Sequence, residues 1–457
     1  MRATALTTPS RRFPRPLLLI SAALLAVAAS YVAGALRSAP AITPPRVEAP
    51  VPGQGVTGSA DGTGVDLPRI ADAIATWSAN LERDPADFIA AVNLSTLYLE
   101  RGHLTSNADD LDAALAAIEQ AIDTDPSLPA PRLQHIQVLL ASHEFADAEQ
   151  AATAFLADEP GEPAALAALG DARLELGDLA GAEAAWAQVG QDDTAPMIAR
   201  RARLAMLTGT LTEAGSLAGD ALALALADPE TGDPAFYHLL AATIAFQSGS
   251  LERSLEESEA ALEAEAGNPG ALAAVGRAQA ALGDIDAAIA AYEAAVETRP
   301  DVQTLAALGD LLALDGRADE AEARYAEVRA IAADPRQARL ERRAIALFLA
   351  DHGESAGRAV SLAEADLAAR QDVHAWDAYA WALYAAGRDA EADEAIHNAR
   401  AEGTEESLLD YHAGMIAAAL GRSEEARELL QAALDRSPAF DPIGALRARE
   451  ALAELGD

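Results

Sequence analysis

Histidines and acidic side chains are the groups of this chain with the widest chemical repertoire, because its 457 residues include eight His, 72 Asp or Glu and no Cys. Without cysteine, disulfides, thiolate metal sites and cysteine nucleophiles are excluded. His135 and His143 lie eight residues apart and could share a helix face, but the sequence offers no third metal ligand beside them. Acid pairs such as Glu256-Glu257 are typical of a solvated helix surface. Since motifs for nucleophilic, zinc-protease and nucleotide chemistry are also lacking, we predict a protein that is not an enzyme and holds no metal or cofactor.

The charge of the chain bears on its partners. Its formal net charge is −39, and the first 40 residues hold five Arg and no acid, so the remainder carries 28 Arg against 72 acids. A body this acidic repels the phosphate backbone, and we therefore predict no nucleic-acid partner. The acidity itself has two interpretations, a solvated surface that keeps alanine-rich helices soluble or a surface that attracts a basic partner.

An uncharged apolar run, residues 17–36, is preceded by four arginines, Arg2, Arg11, Arg12 and Arg15. As a helix, this run would span the roughly 30 Å hydrocarbon core of a membrane. The preceding arginines predict that residues 1–16 stay in the cytoplasm and that the rest lies outside. Its length favours an uncleaved anchor, and a cleaved signal peptide is the alternative. Residues 37–66 are rich in Pro, Gly and Ala, which predicts a disordered linker.

Repeated helical hairpins must position any functional side chain, and residues 269–300 show the unit best. A first helix with Gly276 ends at Gly283, which tolerates positive φ, and a second helix with Tyr292 stops at Pro300. Turns in the same frame recur at residues 102, 143, 177, 209, 249, 283, 316, 353, 387 and 421. The intervals equal 34 residues or lie near that value, which indicates one structural unit repeated along the chain.

This pattern resembles the tetratricopeptide repeat (TPR), in which small and aromatic residues alternate over two helices. The resemblance covers residues 67–457 and implies an all-α, TPR-type solenoid of about ten helical hairpins wound into a right-handed superhelix. Residues 67–84 and 442–455 have the pattern of capping helices at its two ends. In that family the first helices line the concave side, so the resemblance implies that ligands meet first-helix side chains.

Four large side chains on two first helices predict a protein-binding patch. Asp377, Trp381 and Tyr384 share one helix face, and the equivalent positions one repeat later carry Tyr411, Met415 and Ala418. Trp381, Tyr384, Tyr411 and Met415 should therefore form one patch. Trp and Tyr are favoured interface anchors, and Met adapts to varied surfaces. We therefore expect these four residues to be partly exposed and Trp376 to face the packing side. The alternative is that they pack between neighbouring first helices.

Charged residues on the same helices extend this prediction. Arg343 lies 34 residues before Asp377, so the two are expected to pair across the groove. Arg203 and Arg277 occupy similar first-helix faces, where a partner's carboxylate could meet them.

Together these features predict a membrane-tethered, extracytoplasmic TPR scaffold that binds proteins in an envelope or transport complex. The alternatives are a non-catalytic regulatory subunit of an envelope enzyme or metal transporter, and a fully secreted or periplasmic soluble adapter. As a membrane-tethered scaffold, the chain is expected to contact the membrane through its N-terminal helix only.

Overall fold

The computed structural model describes residues 67–190, 194–227 and 233–456, and every regular element within these ranges is an α-helix. The helices are α1 Leu67–Arg83, α2 Phe88–Thr105, α3 Ala108–Thr124, α4 Pro129–Ala141, α5 Phe145–Asp158, α6 Pro163–Glu175, α7 Leu179–Trp186, α8 Ala195–Leu207, α9 Leu211–Ala227, α10 Pro234–Gln247, α11 Leu251–Ala264, α12 Pro269–Leu282, α13 Ile285–Thr298, α14 Val302–Leu314, α15 Ala318–Ala333, α16 Pro335–Leu340, α17 Arg342–Asp351, α18 Ala356–Ala369, α19 Val373–Ala385, α20 Asp389–Ala399, α21 Ser407–Ala419, α22 Ser423–Arg436 and α23 Pro442–Gly456.

Successive helices pair into hairpins, which we number 1 to 10 from α2/α3 to α21/α22. The first helix of hairpin 8 is split into α16 and α17, while α1 precedes hairpin 1 and α23 follows hairpin 10. The expected all-α solenoid of TPR type is therefore confirmed. The predicted basic N-terminus, anchor and linker fall on residues 1–66, outside the described part. Of the helices that the structure describes, none combines the length and apolarity needed to cross a membrane.

Local sequence sets the ends of the helices. Asn268 caps α12 by accepting a hydrogen bond from Ala271 N at 2.9 Å, and Pro269 supplies a first residue that has no amide to satisfy. Gly283 ends the same helix with φ 89°, a left-handed conformation that glycine adopts without a Cβ clash. The next helix then begins at once, because Asp284 caps α13. This short turn holds the two helices of the hairpin side by side.

The predicted turns agree with the structure at nine of the ten positions, where residues 143, 177, 209, 249, 283, 316, 353, 387 and 421 have positive φ. The prediction at Gly102 is wrong. Gly102 lies buried inside α2, and the chain turns at Ser106 with φ 53°. A Cβ at Gly102 would lie 3.3 Å from the Asp110 and Leu111 side chains, so this glycine serves close packing against α3 instead of a turn.

Within a hairpin, an aromatic ring of the second helix packs on a glycine of the first. A Cβ at Gly276 would lie 3.0 Å from the Tyr292 ring, and the same arrangement recurs between Gly309 and Tyr325. Both rings are buried. The glycines therefore create the space that the rings fill, and burial of the rings stabilises each hairpin.

Successive turns of the superhelix contact each other directly. We call the rim formed by the turns within hairpins the turn edge, and the rim formed by the loops between hairpins the junction edge. Arg339, near the end of α16, donates to Asp112 at 2.9 Å and to Glu144 at 3.0 Å. Arg299 donates to the His103 carbonyl at 3.2 Å. The turn edge of hairpins 1–5 thus meets the junction edge that follows hairpins 6–10, and we call this contact the seam.

Backbone groups continue the seam beyond these ion pairs. Gln371 N donates to Glu175 O at 3.0 Å, and Thr404 Oγ1 donates to Leu207 O at 2.5 Å, across 197 residues. A Cβ at Gly177 would lie 2.7 Å from Gln371 O, so only glycine permits the two backbones to approach this closely. Because most of these contacts join residues 195 to 197 apart, the seam has a constant register along its length.

Candidate protein-binding site

The four residues of the predicted patch do come together on α19 and α21. The Trp381 ring lies 4.8 Å from the Tyr384 ring and 5.6 Å from the Tyr411 ring, measured between centroids. Met415 packs against the same hydrophobic cluster. The packing of neighbouring first helices thus brings together side chains that are about one repeat apart in the sequence.

The expected exposure of this patch is wrong for its two central rings. Trp381 is 3% exposed and Tyr411 is 0% exposed, while Tyr384 and Met415 are half-buried. Trp381 Nε1 donates a hydrogen bond to Asp351, and its ring stacks on His412 at 4.1 Å. Trp376, expected on the packing side, is itself only half-buried. The first helices of hairpins 8, 9 and 10 pack directly on one another, which encloses the face predicted to be free.

The predicted pairing of Arg343 with Asp377 is also wrong. Arg343 donates to Asp366 at 2.9 Å and to Asp372 at 2.9 and 3.0 Å, within its own hairpin and the loop that follows. Asp377 accepts from His412 Nδ1 at 2.9 Å. Although the two positions are equivalent in neighbouring repeats, Arg343 is already paired with Asp366 and Asp372. Both residues are buried, and their role in binding stays a prediction.

Two further histidines are held by acids in the same region of the molecule. His374 Nε2 lies 2.9 Å from Glu406, and His352 Nε2 lies 3.0 Å from Asp310. Burial acts to lower the pKa of both imidazoles, but the adjacent carboxylates raise it above the ordinary value. No group of three or more metal-ligating side chains is found among the residues that the structure describes. These pairs therefore stabilise the packing of neighbouring first helices.

A positional rule links side chains of neighbouring first helices. In hairpins 4 and 9, the residue six places before the turn reaches the residue two places before the preceding turn. Arg203 pairs in this way with Glu175, and Trp381 pairs with Asp351. All four side chains are buried. An acid at the second position therefore satisfies the donor at the first.

Arg277 occupies the first position of this rule in hairpin 6, but the second position carries Gln247 instead of an acid. Within the described ranges, no residue forms a hydrogen bond or ion pair with its guanidinium, and its Nε is enclosed. The guanidinium lies 4.1 Å from the centroid of the Phe246 ring. Burial lowers the pKa of Arg277 to about 10, although Tyr292 and Glu406 act in the opposite direction.

A second donor beside this position also lacks an acceptor. Gln247 directly follows Phe246, and its Nε2 is enclosed with no hydrogen-bond partner in the part of the chain that is described. A carboxylate accepts from both a guanidinium and an amide, and such charge-assisted hydrogen bonds are strong. The sequence had indicated Arg203 and Arg277 alike, and the register of the hairpins distinguishes them: Arg203 has an internal carboxylate and Arg277 has none.

Comparison with known proteins identifies the repeated unit. A family model described as tetratricopeptide repeat matches residues 133–196, 239–302 and 274–338, and a second model of the same description matches residues 95–128 and 411–440. No curated protein sequence matches the chain.

Several solved structures are similar to the chain. A tetratricopeptide repeat protein from Parabacteroides merdae is 16% identical, with 57% of this chain and 99% of that chain covered at a TM-score of 0.33. The type IV pilus biogenesis factor PilW is 16% identical, with 46% and 97% covered at 0.38. The human IFIT1 dimer is 15% identical, with 80% and 87% covered at 0.43.

Proposed function

We propose, from the tetratricopeptide repeats that this chain contains, that it is a membrane-tethered scaffold that binds protein partners outside the cytoplasm. The repeats and the all-helical solenoid support protein binding, since such folds present long stacked helix faces to other chains. The arginines before residues 17–36 support the tether and its orientation.

The observation that carries the binding site is Arg277. Its guanidinium lies on the Phe246 ring and its Nε is enclosed, but no carboxylate of the described chain forms a hydrogen bond or ion pair with it. The equivalent Arg203 shows what satisfies such a guanidinium, because Glu175 occupies the matching position there. A carboxylate of a bound partner would take the place of that acid. The proposed ligand is therefore an Asp or Glu side chain, or a chain terminus, of a partner protein.

A substitution of Arg277 by Met tests the site, because Met can still contact Phe246 but carries no charge. We expect Arg277→Met to keep or raise the free energy of unfolding and to weaken partner binding by roughly 30-fold, as for an interface hot spot of about 2 kcal/mol. Partners would be crosslinked on membranes and recovered with the tagged chain. The matched control is Arg253→Met, because Arg253 is largely exposed and pairs with Glu257 on its own helix.

Equal recovery of the same partners by wild type and Arg277→Met would contradict the site. A lower recovery with Arg253→Met as well would indicate a general effect of charge instead of a specific one.

The topology has its own test. A reporter fused after the C-terminus should be active outside the cytoplasm, and activity confined to the cytoplasm would contradict the proposed orientation. Mass spectrometry of the mature N-terminus distinguishes the retained anchor from a cleaved signal peptide.

A further inference from the structure

His143 occupies the turn of hairpin 2, where the seam crosses it. The next residue, Glu144, accepts a hydrogen bond at 3.0 Å from Arg339 of the opposite edge. The His143 ring stacks on the Phe145 ring with 5.7 Å between centroids, and the Arg370 guanidinium lies 5.1 Å from the centroid of the same Phe145 ring. The imidazole therefore belongs to the contact between the two superhelical turns.

The environment of this imidazole suits its neutral form. Its Nδ1 is enclosed and has no hydrogen-bond partner within the described ranges. Arg370, Arg343 and Arg339 lie near it from across the seam, and His103 lies near it on hairpin 1. Burial, together with these four groups, holds the pKa of His143 well below the ordinary value of 6.5. A proton at Nδ1 would be a buried donor without an acceptor, which costs free energy.

Carboxylates of this region are directed at the arginines and not at the imidazole. They are Asp112 and Glu144 on Arg339, Glu175 on Arg370, and Asp366 and Asp372 on Arg343. Within the described part of the chain, none of them forms a hydrogen bond or ion pair with the His143 ring. The closed seam thus offers no carboxylate to an imidazolium at this position.

Other histidines have the opposite surroundings. His352, His374 and His412 each have a ring nitrogen 2.9 to 3.0 Å from a carboxylate. Such a partner accepts a hydrogen bond from the charged imidazolium. Mild acid therefore leaves those three contacts in place, whereas it acts against the contact at His143.

The seam is held mainly by polar contacts that water can replace. The side chains of Arg339, Asp112 and Glu144 are 27%, 50% and 42% exposed, and ion pairs this exposed contribute little to stability. Leu340 adds an apolar contact, because it packs against a cluster that includes Leu111. One uncompensated charge within such a contact is enough to shift its equilibrium towards an open form.

We propose that the seam opens in acid, because protonation of His143 separates the turn edge of hairpins 1–5 from the junction edge that follows hairpins 6–10. In the open form water reaches the Nδ1 proton, and the arginines move away from the imidazolium. The hairpins keep their own packing, so the helices persist and the pitch of the superhelix increases. This conformational change is separate from the partner site at Arg277.

The pH range follows from the two forms of the seam. In the open form the imidazole is solvated and its pKa returns towards 6.5, whereas in the closed form the pKa is lower. The open form therefore binds more protons than the closed form in this range. Closure is complete above about pH 6.5 and is lost progressively as the pH falls below that value.

Distances between two spin labels across the seam test this proposal in the full-length chain. Because the chain contains no Cys, labels can be attached at Ala116→Cys on α3 and Ala326→Cys on α15, two exposed positions. We expect one short distance at about pH 8, and a longer, broader distribution at about pH 5, with unchanged helix content by circular dichroism. Titration of the His143 ring, followed by NMR, should have the same midpoint as the change in distance.

The variant His143→Asn removes the titrating group from the labelled chain. Asn tolerates the left-handed φ of 61° at this turn, and we expect the short distance to persist at about pH 5. The matched control is His135→Gln, on α4 of the same hairpin. Burial also lowers the pKa of His135, but Glu119 and Asp147, on neighbouring second helices, act against that shift. The control should open in acid as the wild type does.

An unchanged distance in the wild type between about pH 8 and about pH 5 would overturn the proposal, as would a midpoint that differs from the titration of His143. Acid opening that persists in His143→Asn would overturn it, because another group would then drive the change. A His143→Asn chain already open at about pH 8 would also overturn it, since the imidazole would then hold the seam by packing and not by its charge state.

Loss of acid opening in His135→Gln would contradict the assignment to His143. None of these measurements involves a partner at Arg277, so this proposal and the proposed binding site fail independently.

Discussion

Arg203 in hairpin 4 and Trp381 in hairpin 9 occupy the same position, six residues before the turn glycine, and both reach an acid of the preceding hairpin. Around Arg203 the acid Glu175 also pairs with Arg370 of the seam at 3.6 Å, and Asp366 supplies a second carboxylate to Arg370 at 3.3 Å. Around Trp381 the acid Asp351 meets an indole, and burial raises its pKa to about 7. One backbone position therefore serves an ionic contact in the first superhelical turn and a largely apolar one in the second.

The largest effect should come from removing the apolar contact. We expect Trp381→Ala to lower the free energy of unfolding by about 3–5 kcal/mol, because the buried ring leaves a cavity and Asp351 loses its donor. Trp376→Ala is the matched control, since the half-buried Trp376 should cost less. Denaturant titration of both variants measures the difference. A loss well below about 3 kcal/mol for Trp381→Ala would instead indicate that its ring is partly exposed in solution, as the sequence alone had suggested.

Breaking the ionic contact should have the next largest effect. Glu175→Gln leaves Arg203 and Arg370 buried without their shared carboxylate, which we expect to cost about 3 kcal/mol. The control is Glu149→Gln, whose partner Arg173 is more exposed, with an expected cost below about 1 kcal/mol. Thermal unfolding of the two variants at one pH provides the measurement. A Glu175→Gln variant as stable as the control would show that the pair adds nothing to the fold.

A smaller effect, of opposite sign, should follow from Asp351→Asn. The ordinary pKa of Asp is 3.8, and the folded value is about 7, so the unfolded chain releases this proton at lower pH than the folded chain. Stability is therefore lost as the pH rises from about 4 to about 7. We expect Asp351→Asn to raise the free energy of unfolding by roughly 2 kcal/mol at pH 8, and to have little effect at pH 4. A gain of the same size at both pH values would contradict the raised pKa.

The fold was predictable because its signals are local. Each hairpin carries its own turn residue, cap and glycine for ring packing, so the repeat could be read from segments of about 34 residues. Gly102 was misassigned because a glycine that ends a helix and a glycine that packs inside one look the same in sequence. Only its neighbours, Asp110 and Leu111, distinguish the two uses.

Side-chain exposure and pairing were harder to predict, because both depend on which side chains lie nearest in the folded chain. Trp381 and Tyr411 were correctly grouped, but their burial follows from the close packing of consecutive first helices. Arg343 was assigned to Asp377 from the spacing of the repeats. In the structure Arg343 instead contacts Asp366 of its own hairpin and Asp372 in the loop that follows. The seam had no sequence signal at all, because it depends on the pitch of the superhelix.

The seam also changes how such a chain folds. A linear array of repeats has only neighbour contacts, so its units can form and melt one after another. Hydrogen bonds such as Thr404 to Leu207, across 197 residues, add pairings of high contact order, which slow folding and couple distant units. During synthesis the first five hairpins emerge well before the hairpins that cover their turns. They must persist with that rim open until the second half of the chain has been made. Once the second half covers the rim, we expect the complete array to unfold as one cooperative unit.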